Sequence, residues 1–476
     1  MRSVEVVFPY KQDVNHSVEG NIYCLPPELL AVVFTFAHTA PRPVRVSAST
    51  LPIEFTLGQV SRLWRDIART TPALWSKICL KPNFKFSIPR ARRYIRRSGT
   101  VPLDIFLECY EVTKQTHPTS GRRLVPVIPL AAIQLILDNL HHLGSLIVRC
   151  YDIKSAMSFQ EYFKDLHAPT LRSSSIEYNT FKMNIPEEKM VIFQAGTPRL
   201  TELTTELPNI LPSKSSLRNL TSLSLCRLNP TINVDFGALV GLLRSLPTLL
   251  HLSLEGQINA PNLNQPILIL PKLLSLRFLG RNTMPAQMIL LLEAPNLESL
   301  WMNSGSSSHE RSQLLNAPEM ADGRKFPKLK YLTIRDNFTT AEQLCKVFPS
   351  VTHLHYTYVV TQWAPYFAEC LIKGWDSVHT VVLSNFIRSR FNSRDEHTLA
   401  DAWATVLSHC RAAGRPIKRV LVDIGEEVSY WHHAAANPEC RIRVETLNTG
   451  NYQDHWWKLE EERRLWGVDL PSNSMT

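Results

Sequence analysis

No two cysteines in this chain stand at C-x-x-C spacing. The nine thiols at 24, 79, 109, 150, 226, 345, 370, 410 and 440 are scattered and odd in number. That pattern argues against a disulfide framework or a zinc ribbon and predicts reduced cysteines in a reducing compartment. No apolar run reaches the roughly 18 residues that a membrane-spanning helix needs. The opening MRSVEVVFPYKQDV lacks the basic, apolar, small-residue order of a secretory signal. A cytoplasmic or nuclear protein without a membrane partner is the expectation.

Enzyme signatures are missing as well. There is no Gly-rich phosphate loop, no G-x-S-x-G, no H-E-x-x-H and no deaminase-type Cys/His spacing. The sequence therefore predicts a non-catalytic protein with no catalytic residues, no cofactor and no metal. His141-His142 and His432-His433, the second followed by Cys440, are adjacent pairs. Neighbouring side chains diverge on any regular element, so they rarely share a metal.

One absence is local. Residues 81 to 100 contain no acidic residue but seven basic ones: Lys81, Lys85, Arg90, Arg92, Arg93, Arg96 and Arg97. The net charge of the whole chain is +10, so the remainder carries only about +3, an excess of the kind that in a basic stripe suggests nucleic acid. On a helical wheel from Pro89 to Ser98, Ala91, Tyr94, Ile95 and Ser98 form an apolar stripe opposite the arginines. This reads first as an amphipathic helix with a solvated basic face, stopped at Gly99. Contact with an acidic partner surface or a phosphate backbone is the alternative.

What the chain has in abundance is a repeated phrase, often Pro-x-Leu-x-x-Leu-x-apolar. It occurs as Leu143/Leu146/Val148, Leu200/Leu203, Leu220/Leu223/Leu225, Leu249/Leu252/Leu254, Leu273/Leu276/Phe278 and Leu297/Leu300/Met302. Leu329/Leu332/Ile334, Val351/Leu354/Tyr356 and Val378/Val381/Leu383 continue it, with Leu171/Ile176 a degraded copy and Ile417/Val420/Val422 a late one. From Leu143 to Ile417 the mean period is about 27 residues, inside the leucine-rich-repeat range. One unit cannot cover its own apolar side, whereas stacked units build a continuous core. The expected fold is α/β: a short helical N-terminus followed by an irregular leucine-rich-repeat solenoid with a parallel sheet on its concave face. The regular Asn position of the tidiest repeats is absent.

Strand alternation then names the residues between the inward leucines. They include Glu202, Thr204, Ser222, Ser224, His251, Ser253 and Ser275. The richest set is Arg277, Ser299, Trp301, Tyr331, Thr333, His353 and His355. Trp, Tyr and Arg most often dominate binding energy, so these seven are the expected contacts to a target protein.

The N-terminal pattern is different. LPPELL, Leu25 to Leu30, opens a short helix with apolar residues at 29, 30, 33, 34 and 37. Pro26, Pro27 and Glu28 suit its first turn. A second helix carries Leu57, Val60, Leu63, Trp64 and Ile67, and a third begins at Pro72 after Thr70 and Thr71 as candidate caps. So many large apolar side chains in under 60 residues exceed what so small a domain can bury, and the surplus implies a permanent partner.

On Leu25, Pro26, Glu28, Leu29 and Leu30, then Val60, Ser61, Arg62, Trp64 and Arg65, then Leu74 and Trp75, this segment resembles an F-box. It departs from the family in a long loop from about His38 to Glu54. The resemblance implies docking onto the Skp-type adaptor of a cullin–RING ubiquitin ligase, with Leu25, Pro26, Glu28, Leu29, Leu30, Val33, Phe34, Leu57, Val60, Ser61, Trp64, Leu74 and Trp75 as adaptor contacts. The chain then divides into a tail (1–22), an F-box domain (23–80), a basic linker helix (81–100), a leucine-rich-repeat-like solenoid (101–450) and a C-terminal capping helix with tail (451–476). The expected role is a substrate-recognition subunit of a Skp–cullin–F-box ubiquitin ligase. A non-degradative leucine-rich-repeat scaffold is the alternative, and a nucleic-acid-binding protein using the 81–97 patch is the less favoured third reading.

Overall fold

Each leucine phrase becomes one strand. The computed structural model describes residue 22 and residues 25–39, 52–81, 87–113, 123–127, 129–150, 153–178, 190–205, 210–212, 216–228, 236–256, 267–279, 285–303, 325–335, 341–357, 375–384, 412–414, 417, 419–422 and 443–446. In chain order its strands are β1 (Lys77–Leu80), β2 (Leu103–Thr113), β3 (Arg123–Pro126), β4 (Leu143–Cys150), β5 (Ser173–Tyr178), β6 (Met190–Ile192) and β7 (Glu202–Thr205). They continue as β8 (Ile210–Pro212), β9 (Ser222–Leu228), β10 (His251–Gly256), β11 (Leu268–Ile269), β12 (Ser275–Leu279), β13 (Leu292–Glu293) and β14 (Ser299–Asn303). The last are β15 (Tyr331–Arg335), β16 (His353–Thr357), β17 (Thr380–Ser384), β18 (Arg419–Val422) and β19 (Arg443–Thr446).

Fifteen of these strands form one sheet, ordered β1-β2-β4-β5-β7-β9-β10-β12-β14-β15-β16-β17-β18-β19, with β3 antiparallel to β2. All pairings along that path are parallel. Two short parallel pairs, β6 with β8 and β11 with β13, lie off it. The chain is thus an α/β protein with a long parallel sheet built unit by unit.

The physics of a unit shows at its entry. The anchor leucine sits in a tight turn whose N–H donates three residues back, as Leu220 does to Leu217, Leu249 to Leu246, Leu273 to Leu270 and Leu297 to Ala294. The next residue donates across to the preceding unit: Thr221 to Thr201, Leu250 to Thr221, Leu274 to Leu250, Glu298 to Leu274, Lys330 to Glu298 and Thr352 to Lys330. The residue before the anchor often adds a staple. Thr170 Oγ1 donates to the Leu143 carbonyl, Thr248 Oγ1 to that of Leu220 and Ser350 Oγ to that of Leu329. Asn219 and Asn296 donate to the Pro198 and Pro271 carbonyls. Every anchor from Leu143 through Val378 is buried, as are the strand leucines beside it.

Between β2 and β4 the register shifts by one residue. Leu103 pairs with Leu143 but Asp104 with Ser145, which leaves Gly144 as the extra residue. A Cβ on Gly144 would lie 2.7 Å from the Cβ of Pro102, so the bulge requires glycine here.

The chain divides into two units. Described residues up to Ser76, together with Arg93–Val101, belong to the first; Lys77–Arg92 and everything from Pro102 belong to the second. The boundary expected at residue 80 therefore moves: β1 pairs with β2 and is part of the sheet. The expected N-terminal tail lies outside the described residues apart from Ile22, and the C-terminal capping helix lies wholly outside them.

The first unit contains α1 (Pro27–Thr39), α2 (Ile53–Val60) and α3 (Arg62–Thr70), then a 3-10 turn, Pro72–Trp75. The sequence suggested one helix through Val60 and Trp64; it is two. Ser61 adopts an extended conformation (φ −155°, ψ 171°), and its side chain accepts a hydrogen bond from the Trp64 N–H at 3.1 Å. That is an N-cap, and it breaks the run. Thr70 and Thr71 do not cap a third helix; their hydroxyls donate back to the Asp66 and Ile67 carbonyls and close α3. A further helix, α4 (Ser87–Ser98), buries Ala91, Tyr94 and Ser98 as its stripe predicts. It ends at Gly99, whose φ of +57° is the left-handed stop.

Candidate functional site

In the first unit, the core and the surface share one helix. Along α1, Leu30, Phe34 and His38 are buried. A second stripe, Leu29, Val32, Val33 and Phe36, faces outward; Leu29 is 51% and Phe36 71% exposed. Both stripes follow helical spacing, so α1 is apolar on two sides, one of them buried and the other exposed. Val60 at the end of α2 and Leu63 in α3 are also exposed, at 48% and 43%.

Aromatic packing fixes these helices. Trp64, half-buried, rests on Phe34 with ring centroids 4.8 Å apart. Trp75 is buried and donates its indole N–H to the Ala68 carbonyl at 2.8 Å. Tyr94 meets Trp75 edge-on at 5.0 Å and donates its hydroxyl to Glu54, a buried carboxylate. Arg65 Nε donates to the Gly58 carbonyl and ties α3 to α2.

The adaptor contacts named from sequence therefore separate. Pro26, Glu28, Leu29, Val33 and Val60 are exposed; Leu25, Ser61 and Trp64 are half-buried. Leu30, Phe34, Leu57, Leu74 and Trp75 are core and hold the helices together instead of presenting themselves. Val32, Phe36 and Leu63, not named among those contacts, are exposed as well. The signal was available: 29, 32, 33 and 36 form a helical stripe of their own, offset from the one at 30 and 34.

The second unit places the expected target contacts in two columns across the strands. Strand register aligns Ser222, His251, Ser275, Ser299, Tyr331, His353 and Thr380 in one column, and Ser224, Ser253, Arg277, Trp301, Thr333, His355 and Val382 in the next. Neighbours touch along them. The Arg277 guanidinium lies over the Trp301 ring at 4.1 Å, and Trp301 meets His355 edge-on at 6.2 Å. Tyr331 and His353 are 4.7 Å apart, and His353 and His379 another 4.7 Å. Thr333 Oγ1 and His355 Nδ1 stand 3.5 Å apart.

Strand register places these residues side by side, but the expectation of an open surface needs correction. Arg277 is 1% exposed, and Ser299, Tyr331, Thr333, His353 and His355 are buried as well; Trp301 is half-buried. Strict inside–outside alternation assumed a solvated face, whereas parallel sheets are commonly covered on both. Burial pushes the His355 imidazole from 6.5 down to about 3, so it is neutral near pH 7. The two columns hold no carboxylate from Ser222 to Val382. Among the described residues no group of three or more His, Cys, Asp or Glu side chains is placed to hold a metal ion.

A third cluster escaped sequence reading. Lys81 Nζ reaches Glu108 at 3.2 Å, Glu108 stands in register beside Arg149, and Arg149 reaches Glu177 at 2.8 Å. Burial opposes the charge on Lys81, but Glu108, with Cys79 and Tyr110, offsets it and the ammonium pKa is raised. Alternating charges on adjacent strands stabilise the sheet edge-to-edge, though partly exposed pairs contribute little each.

No protein-family model matches this sequence, and no curated protein is significantly similar to it. Among solved structures, the leucine-rich-repeat-containing protein LegL7 from Legionella pneumophila is similar at 13% identity and a TM-score of 0.32, over 77% of this chain and 99% of that one. No helix among the described residues is long and apolar enough to cross a membrane.

Proposed function

We propose that this chain is a non-catalytic protein-interaction subunit and, more specifically, the substrate-recognition subunit of a Skp–cullin–F-box ubiquitin ligase. The observation that carries the reading is the solvent-exposed apolar stripe of α1, Leu29, Val32, Val33 and Phe36, with Val60 and Leu63 exposed on the neighbouring helices of the same unit. A small helical unit that leaves six large apolar side chains in water has the character of half an interface. The F-box resemblance supplies the partner: the Skp-type adaptor and, through it, a cullin–RING ligase. The repeat-built sheet would hold a target protein near the ubiquitin-charged enzyme, and the contribution to catalysis is proximity. No cofactor enters this reading, and the compartment it requires is the cytoplasm or nucleus.

Copurification tests it. Adaptor and cullin are expected with the wild-type chain and are lost from Leu29→Asp/Phe36→Asp, but are retained by Ile267→Asp/Ile269→Asp, which changes exposed isoleucines in the second unit. Retention by the first variant, or absence from the wild type, removes the ligase reading. The burial of Arg277, Ser299, Tyr331, Thr333, His353 and His355 favours a second reading, a scaffold that binds the adaptor but delivers nothing for modification. Reconstituted ubiquitination of copurifying proteins separates the two.

A further inference from the structure

The first unit carries, besides its apolar stripe, a group of arginines. Arg69 in α3 and Arg93 and Arg96 in α4 are exposed, and Arg97 is half-buried. The Arg97 guanidinium stacks on Trp75 at 4.3 Å. Burial first, and then the like charges of Arg93, Arg69 and Arg96, hold its pKa below the usual arginine range. Four guanidiniums therefore share one locality. Among the described residues no carboxylate forms an ion pair with any of them. The nearest buried acid of the unit, Glu54, is engaged by the Tyr94 hydroxyl.

We infer that Arg69, Arg93, Arg96 and Arg97 form a docking site for an acidic peptide segment of a partner protein. The chemistry of the cluster fits that occupant. All four cations are arginine, whose planar fork matches a carboxylate with two parallel hydrogen bonds. Arg97 is held by its stacking on Trp75, so part of the ordering cost is met before any ligand arrives. A single-stranded nucleic acid needs exposed aromatic platforms for its bases. Here Trp75 and Tyr94 are buried, at 2% and 4% exposure. The site does not depend on the ligase reading, and its test is separate from adaptor capture.

The test uses the full chain and a fluorescein-labelled oligoglutamate peptide, with an oligodeoxythymidylate of equal charge as the competing occupant. Arg69→Gln/Arg93→Gln/Arg96→Gln should bind the peptide about tenfold more weakly than wild type, three exposed ion pairs being lost. Arg172→Gln/Arg199→Gln/Arg218→Gln, the same charge change at exposed arginines of the second unit, should leave peptide binding unchanged. Thermal unfolding of both variants checks that each is folded. If the first triple fails to fold, Arg96→Gln alone replaces it, with a loss of about twofold to threefold. Equal loss in both triples, no loss in the first, or oligonucleotide binding that is tighter than peptide binding and sensitive to the first triple would each overturn the assignment.

Discussion

At the scale of single residues, the columns of the sheet turn a surface expectation into a titration. His355 is buried beside Trp301 and Thr333, and burial pulls its pKa from 6.5 to about 3. The unfolded chain therefore binds a proton that the folded chain refuses. The stability linked to this group is complete above pH 6.5 and declines as pH falls toward 3. Thermal midpoints measured between pH 7 and pH 4 should fall less steeply for His355→Gln than for wild type. Parallel slopes would show that the imidazole is not held neutral by the fold.

At the scale of elements, α1 makes the clearest statement, since its two apolar stripes differ in what they touch. Leu30→Ala or Phe34→Ala empties a buried site and should cost about 2–5 kcal/mol in denaturant unfolding. Leu29→Asp/Phe36→Asp alters only exposed side chains, so stability should change by about 0.5 kcal/mol or less per site. The reverse order would mean that the stripes are misassigned. Spacing made the existence of this helix legible, as it did the position of each repeat strand. It did not show which stripe is core, because both have the same composition and period. Nor did it show the break at Ser61: a single capping hydroxyl stops a helix whose apolar pattern continues on the other side. Gly144 was equally silent, because a bulge depends on the distance to Pro102 and not on local sequence. Alternation placed Arg277, Ser299, Trp301, Tyr331, Thr333, His353 and His355 on one side of their strands; the burial of most of them was invisible because alternation gives the side of a strand and not what covers it.

At the scale of the whole molecule, each repeat contacts its neighbours through equivalent bonds. The Thr221 carbonyl accepts from Leu250 just as the Leu250 carbonyl accepts from Leu274, and Leu223, Leu252 and Leu276 are register partners in turn. Deleting residues 249 to 272 removes one whole unit and leaves Leu273 to dock where Leu249 stood. Such a deletion should retain the far-ultraviolet circular dichroism of a folded α/β protein, with lower stability from the lost interface. A deletion of 249 to 260, which removes the anchor without replacing it, should not fold. Equal behaviour of the two would show that the units are not interchangeable.

The staples at strand entry have a consequence for how this chain tolerates change. Successive anchors are 20 residues apart from Leu200 to Leu220 but 39 from Val378 to Ile417, yet β17 and β18 still pair residue for residue. Lengthening the excursion before a strand adds little closure entropy, so the ladder tolerates intervals of very different length. The inter-strand segments are thereby released to diverge, and novelty can accumulate there while the backbone of the sheet stays in phase.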